Sequence, residues 1–472
     1  MIEGDRVTGW QEGDVHAGGR AESSTARLLD SSTPRLPTGL NVARARQETP
    51  GCERVLHFNN AGAALMPQPV LDATRDYLTL EAEIGGYEAV EREAAAIARF
   101  YDAAAELLGC EPDEIAFVEN ATRAWDMAFY AIPFGPGDRI LTARAEYASN
   151  VIAFLQVAER TGAVVEPIPS DETGQLSIPA LEAMIDDRVK LIAITHVPTN
   201  GGLVNPAAAV GKIARAAGIT YLLDACQSVG QMEVNVAEIG CDLLSTTGRK
   251  YLRGPRGTGL LYARRELCQQ LQPPFLDLHA AEWVAPDRYE IRGDARRFEN
   301  WETNYAGKVG LAVAIDYARS WGMDAIEARV KTLACKLRAR LSEIPGVVVR
   351  DIGAERSGIV TFTSEGVGAE SVQRALAAQA INVTTSTVSS TRFDMEARGL
   401  RELVRASVHY YNDESEIERF CAAVAKLSDS TRNPHPQPLS LCRGRGEPEP
   451  LPGIPPRPLR WARGQGGEAS WR

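Results

Sequence analysis

Three segments carry side chains that could do covalent chemistry together. Tyr221-Leu222-Leu223-Asp224-Ala225-Cys226-Gln227-Ser228 ends an apolar run on an aspartate, and Ser245-Thr246-Thr247-Gly248-Arg249-Lys250-Tyr251 brings a lysine some 25 residues later. Thr195-His196-Val197-Pro198-Thr199-Asn200-Gly201-Gly202 is a polar turn that follows another apolar run. A lysine amine can form an imine with an aldehyde, and a carboxylate at a strand end can keep a ring nitrogen protonated so that the ring draws electrons from a substrate carbon. That pairing is what a pyridoxal phosphate enzyme requires. Such a cofactor also needs phosphate donors, and Asn120-Ala121-Thr122 stands between the β-rich run Ile115–Val118 and the helix-like stretch Arg123–Ala131. The amides of Ala121 and Thr122 would then lie at a helix N-terminus, where anions bind. A nucleotide-binding phosphate loop at Gly254-Pro255-Arg256-Gly257-Thr258-Gly259 is excluded because no Gly-Lys-Ser/Thr follows, so this stretch is the turn into a strand at Leu260–Ala263.

These residues need a scaffold that gathers strand ends. Apolar β-rich runs at Arg139–Ala143, Val164–Ile168, Val189–Val197 and Ile219–Ala225 alternate with helix-like stretches such as Ala207–Ala217, and helical periodicity covers about 67–83 and 88–108. Alternation of this kind predicts an α/β layer with a mostly parallel sheet, whose carboxyl strand ends converge on one crevice. From about residue 305 the pattern turns to long helices (309–321, 324–343), a strand (358–364), a helix (369–380) and a strand–helix pair (403–427), which predicts a smaller α+β domain. The expected organisation is a flexible extension over 1–50, a large domain over 51–304, a small C-terminal domain over 305–431 and a disordered tail over 432–472, where nine prolines and six glycines oppose regular structure.

Taken together, these motifs resemble the class V aminotransferase family of fold-type-I pyridoxal phosphate enzymes, which includes cysteine desulfurases, isopenicillin N epimerase and ergothioneine-pathway sulfoxide lyases. The likeness runs from about Phe58 to Ser428. It implies a large domain with a seven-stranded type of sheet, Lys250 as the Schiff-base lysine, Asp224 as the pyridinium partner and Gln227 as a donor to the ring oxygen. It further implies that Thr247 gives a hydroxyl donor beside the lysine, with Arg249 where relatives often have His, and that Ala121 and Thr122 hold the phosphate. Tyr147, in Glu146-Tyr147-Ala148-Ser149-Asn150, would stack on the ring, and Thr199 or Asn200 would meet the cofactor or the substrate. Arg405, in Val404-Arg405-Ala406-Ser407-Val408-His409, matches the arginine that grips a substrate carboxylate. Arg297-Phe298-Glu299-Asn300-Trp301-Glu302-Thr303-Asn304 matches the segment sent into a neighbouring subunit, with Thr303 at its phosphate site, so the resemblance implies a homodimer with shared active sites. Plainer readings stay open: a solvated Lys250, an ordinary N-cap at Asn120, a core Tyr147, a surface Arg405 and a structural His196.

The resemblance leaves the reaction open. Desulfurases carry a sulfur-accepting cysteine on a mobile loop, and the matching stretch Thr384–Asp394 has none. Cys226, beside Asp224, reads better as a packed small residue than as a nucleophile. The favoured expectation is elimination with C–S cleavage on an amino-acid-type substrate, as in the sulfoxide lyase and epimerase branch. Transamination and epimerisation are alternatives, and a non-catalytic cofactor-binding homologue is the reading from a different class.

Composition bounds the setting. The 472 residues carry 51 Lys+Arg against 62 Asp+Glu, a net charge of −11 whose acidic excess lies on residues 51–431, so no nucleic-acid surface is expected. No run approaches the roughly 18 apolar residues of a membrane span, and no secretory signal is visible, which predicts a cytoplasmic protein. The eight cysteines show neither paired nor metal-ligand spacing, so free buried thiols are expected, with no disulfide framework and no metal site.

Overall fold

The computed structural model describes residues 40–432. Its central layer is a seven-stranded sheet of β1 (Ile115–Val118), β2 (Arg139–Ala143), β3 (Val164–Ile168), β4 (Val189–Thr195), β5 (Thr220–Asp224), β6 (Leu243–Thr247) and β7 (Gly259–Ala263). The strands lie in the order β1-β7-β6-β5-β4-β2-β3, and only β7 runs antiparallel to its neighbours. Every residue of β2, β6 and β7 is buried, as both faces of a helix-covered parallel sheet require. The α/β class and the seven-stranded sheet are those expected from the sequence.

A second sheet holds Val347–Val349, Ile359–Ser364, Glu402–Ser407 and Thr384–Thr387 side by side in that order, all antiparallel. The helices Met323–Ser342, Ala369–Ala377 and Glu414–Arg432 accompany it, and a separate apolar core including Leu333, Leu337, Phe362, Leu376 and Phe420 fills the space between. The chain's first described residues belong to this core. Leu56–His57 pairs in parallel with Ile381–Asn382, and the Phe58 ring stacks on Phe420 at 4.7 Å. The helix Tyr305–Trp321, in contrast, packs on the helices Gln68–Ile84 and Ala94–Leu108 beside the large sheet.

Part of the expected extension over 1–50 is ordered. Val42–Gln47 is a helix whose Asn41 side chain accepts from the Arg44 amide, Ala45 is buried, and Arg46 pairs with Glu416 at 3.0 Å. A short helix can hold there because Ala45 and Arg46 have partners in the second core, which periodicity over six residues cannot reveal. Residues 1–39 and the expected tail from 433 lie outside the described residues.

Candidate active site

β4, β5 and β6 end beside one another, and their carboxyl ends form the floor of a cleft of about 320 Å³. Asp224, the last residue of β5, is 5% exposed; its Oδ1 accepts from the Cys226 amide at 2.9 Å and its Oδ2 from Asn150 Nδ2 at 3.1 Å. Gln227 follows on the same wall, where its Nε2 donates to the Ala61 carbonyl at 3.2 Å and its buried Oε1 has no protein partner. The Nε2 amino group carries two protons, so this bond to a backbone carbonyl from the N-terminal segment uses one and leaves the other for a ligand oxygen.

Lys250 stands on the tight turn from β6 to β7. The Gly254 amide donates to the Gly248 carbonyl at 2.8 Å, the Arg253 amide to the Lys250 carbonyl at 2.9 Å, and the Ala64 amide to the Arg249 carbonyl at 3.0 Å. Gly230 (φ +95°) lets the strand-end turn after Asp224 lie against this loop, since a Cβ there would sit 2.4 Å from the Tyr251 carbonyl carbon. Arg253, itself at φ +61° and 1% exposed, pins the turn from below. Its guanidinium donates to the Leu65 carbonyl at 2.8 Å, to Tyr410 Oη at 2.6 Å and to Thr49 Oγ1, and it lies 4.4 Å from the Tyr411 ring centroid. Burial pulls the Lys250 amine below the ordinary lysine value, with Arg249 and Arg405 adding to the effect and Cys226 and Asp224 opposing it. A lysine held this way is better able to be neutral, and so nucleophilic or basic, near neutral pH.

The cleft lining also suits an anion. Asn120 caps the helix Ala121–Phe129 by accepting from the Arg123 amide at 2.9 Å, and Ala121 and Thr122 line the cleft with first-turn amides that have no carbonyl one turn earlier. Arg249 and Arg256 stand on the same lining. Thr247 also lines it, yet its hydroxyl donates to the Thr258 carbonyl at 3.2 Å and accepts from Arg249 at 3.2 Å, so its proton is already engaged.

Tyr147, at the start of the helix Ala148–Thr161, lines the cleft and keeps 39% of its surface exposed, as a ring awaiting a stacking partner would. Thr199 lines it as well and ties it to Arg405, whose Nη1 donates to the Thr199 hydroxyl and carbonyl. Arg405 lies in the second sheet, is 8% exposed, has a buried Nε without a partner, and is paired with no carboxylate among the described residues. Asn200 sits apart from the lining: it is fully buried and donates to Thr391 Oγ1 at 2.7 Å. Thr303 is likewise off this chain's cleft wall, half-buried between the exposed Trp301 and Asn304. Arg297, Phe298 and Glu299 of the same segment are buried in their own chain, where Glu299 accepts from the Phe117 amide at 2.8 Å. Asn300 is also tied down, accepting from Arg123 at 3.1 Å and donating to Asp277 at 3.3 Å, while Trp301 and Glu302 are exposed.

Asn150 and Glu146 are among the site residues that the sequence alone does not reveal. Asn150 touches Asp224 directly, and Glu146, 1% exposed, accepts from Asn150 at 2.8 Å. Their signal was a glutamate and an asparagine four apart at a helix start. Of the seven cysteines described, all unpaired, Cys226, Cys241, Cys268 and Cys421 are buried, Cys335 is exposed, and Cys226 alone lines the cleft.

A buried carboxylate, a helix N-terminus with two guanidinium groups, a lysine and the Gln227 amide on one lining together fit pyridoxal phosphate. The aminotransferase class-V family model matches residues 56–420. A probable cysteine desulfurase of Xylella fastidiosa (strain Temecula1 / ATCC 700964) is 34% identical over 418 residues, covering 85% of this chain and 98% of that protein. The apo cysteine desulfurase of Thermococcus onnurineus NA1 superposes with a TM-score of 0.78 at 28% identity, over 84% of this chain and all of that one. The Escherichia coli cysteine desulfurase CsdA, 23% identical with the same TM-score over 84% of this chain and 100% of its own, shares the fold. The chain belongs to the class-V aminotransferase family and is, with it, a pyridoxal phosphate-dependent enzyme.

Proposed function

We propose that this enzyme cleaves a Cβ–sulfur bond in an amino-acid substrate by elimination, releasing the sulfur group to solvent rather than to a protein thiol. The observation that carries this reading is the setting of the thiols. Burial, reinforced by Asp224, pushes the Cys226 thiol far above its ordinary range, so it is no thiolate at working pH. The stretch where desulfurases keep their loop cysteine is here the strand Thr384–Thr387, the turn Val388–Ser390 and the helix Arg392–Ala397, with no cysteine in it.

Pyridoxal phosphate, when bound, supplies an aldehyde for amines and a ring that stabilises negative charge at the substrate Cα. Arg405, with two parallel donors and no carboxylate of its own, would grip the substrate carboxylate. Asp224 would hold the ring nitrogen, and Tyr147 would shield one ring face. Lys250 Nζ would take the Cα proton as the Cβ–S bond breaks, with the bonding pair leaving on sulfur. We also place the protein in the cytoplasm, where unpaired cysteines persist, and as a homodimer meeting through residues near Trp301 and Thr303. No helix among the described residues is long and apolar enough to cross a membrane.

Two observations favour a second reading, cysteine desulfuration with Cys226 as sulfur acceptor: Cys226 lines the cleft, and the relative from Xylella is named a probable desulfurase. The test offers the purified enzyme cysteine, S-substituted cysteines and their sulfoxides, and measures pyruvate, ammonia, alanine and protein-bound persulfide. Pyruvate and ammonia in equal amounts, undiminished in Cys226→Ala, are expected. Alanine from cysteine with persulfide on Cys226 would replace elimination by the second reading, and a keto acid matched by amine left on the cofactor would replace it by transamination.

A further inference from the structure

Glu146 is a buried carboxylate with no cation beside it. It accepts from five donors: the Thr195 amide at 2.9 Å, the Tyr147 amide at 2.9 Å, Thr142 Oγ1 at 3.1 Å, Asn150 Nδ2 at 2.8 Å and the Thr195 hydroxyl. No arginine, lysine or histidine forms an ion pair with it among the described residues. The same Asn150 nitrogen donates to Asp224 Oδ2 at 3.1 Å, so one amide is shared between two carboxylates. Thr195, whose amide also binds Glu146, is the direct neighbour of Asp224 across the β4–β5 pairing.

We propose that Glu146 is a positioning residue for Asp224, fixing Oδ2 through Asn150 and adding a second negative charge that raises the proton affinity of the ring nitrogen held by Asp224. An apolar side chain here would leave the Thr195 and Tyr147 amides without an acceptor, so the carboxylate satisfies buried donors as well as facing Asp224. A cation facing Asp224 changes the balance: two carboxylates linked by one amide NH₂ make a stronger anionic partner than one. Burial and then Asp224 push the Glu146 carboxyl up to about 7, while its donors pull the other way, so a cation facing Asp224 favours its charged form. The titratable groups facing it are Asp224 and Tyr221 of β5; the donors from β2, β4 and the helix Ala148–Thr161 carry no charge.

The inference rests on the reading that Asp224 meets the ring nitrogen of pyridoxal phosphate, and the test separates the two. Apo-protein is titrated with pyridoxal 5′-phosphate and with its 1-deaza analogue, which has C–H in place of the ring nitrogen, and the dissociation constants are compared by equilibrium dialysis. Wild type should prefer the natural cofactor, and Asp224→Ala should abolish that preference. Glu146→Gln should weaken the natural cofactor by about tenfold and leave the analogue within about twofold, the range expected for one coupled charge. Equal weakening of both ligands, as a merely structural role predicts, or no change in either, overturns the inference. A wild type without preference overturns the reading of Asp224, and the inference with it. Should Glu146→Gln not fold, Asn150→Ala, which cuts the bridge, must show the same selective loss. In wild type the preference must also shrink between about pH 8 and pH 6 as Glu146 takes up a proton; a preference that stays flat with pH overturns the inference.

Discussion

Arg253→Met tests whether the lysine turn is held by a lone buried cation. Methionine keeps an unbranched stem of similar reach, so the change removes charge and donors while leaving most of the packing. Three hydrogen bonds are lost, to the Leu65 carbonyl, Tyr410 Oη and Thr49 Oγ1, along with the cation over the Tyr411 ring. Thr49 keeps its own bond to the Ala45 carbonyl at 2.6 Å, so the uncompensated loss falls on Leu65 and Tyr410. Bonds made by a charged donor contribute roughly 1.5–3 kcal/mol each, and a desolvated cation over a ring about 2 kcal/mol. Against this stands the hydration regained by not burying a guanidinium that has no carboxylate partner, several kcal/mol in the same units. The balance leaves a loss of about 2–4 kcal/mol, read as a lower urea midpoint with an unchanged slope. A midpoint that holds or rises would refute the reasoning, because it would mean that the aromatic and carbonyl partners do not offset the burial of the charge. Since Arg253 closes the turn that carries Lys250, the folded variant should also bind pyridoxal phosphate more weakly.

Lys250→Ala should lose the borohydride-reducible link to the cofactor while still binding it through phosphate contacts; a surviving link, detected by mass, would assign the imine to another lysine. Arg405→Lys keeps a charge but loses the paired donors, so the substrate KM should rise about tenfold with cofactor affinity unchanged, and an unaltered KM would move the carboxylate site elsewhere. Gly230→Ala places a side chain at φ +95° and within 2.4 Å of the Tyr251 backbone, so the lysine loop must shift. A stability loss of about 2 kcal/mol or more, together with slower turnover, is expected, and wild-type values in urea and activity assays would contradict the close approach. Sedimentation should give a dimer, with Trp301→Glu shifting it toward monomer; a wild-type monomer at micromolar concentration would remove the shared-site reading.

Local pattern carried much of the fold. The strands Arg139–Ala143 and Val164–Ile168 and the helix Ala207–Ala217 have the bounds expected from apolar periodicity and closing glycines. The stretch 88–108 is two helices, Gly86–Arg92 and Ala94–Leu108, separated at Glu93, where the periodic signal is continuous but the backbone leaves the helical conformation. The hairpin Ala281–Ala285 with Arg288–Ile291 has no legible sequence signal because its exposed Trp283 and Tyr289 show no buried face. In the site, Asp224, Gln227, Thr199 and Lys250 could be anticipated because each ends an apolar strand or follows one. Asn150 could not, because its bond to Asp224 joins residues 74 apart, and nothing in either local pattern encodes that meeting. Asn200 lies off the cleft lining for a related reason: its neighbour Thr199 faces the cleft while Asn200 turns to Thr391, and adjacency in a turn does not fix which side a residue faces.

The pairing of Leu56–His57 with Ile381–Asn382 also constrains how the chain can be made. On a ribosome the segment that carries Phe58 emerges first, yet its partners Phe420 and Ser407 come more than three hundred residues later. The large sheet, closed by Ala263, can assemble while synthesis continues, whereas the second core must wait with an apolar strand unpaired at its front end. Truncated chains ending before residue 380 should therefore expose Leu56 and Phe58 and depend on chaperones, and a slow final phase of refolding should report the closure of Leu56–His57 onto Ile381–Asn382.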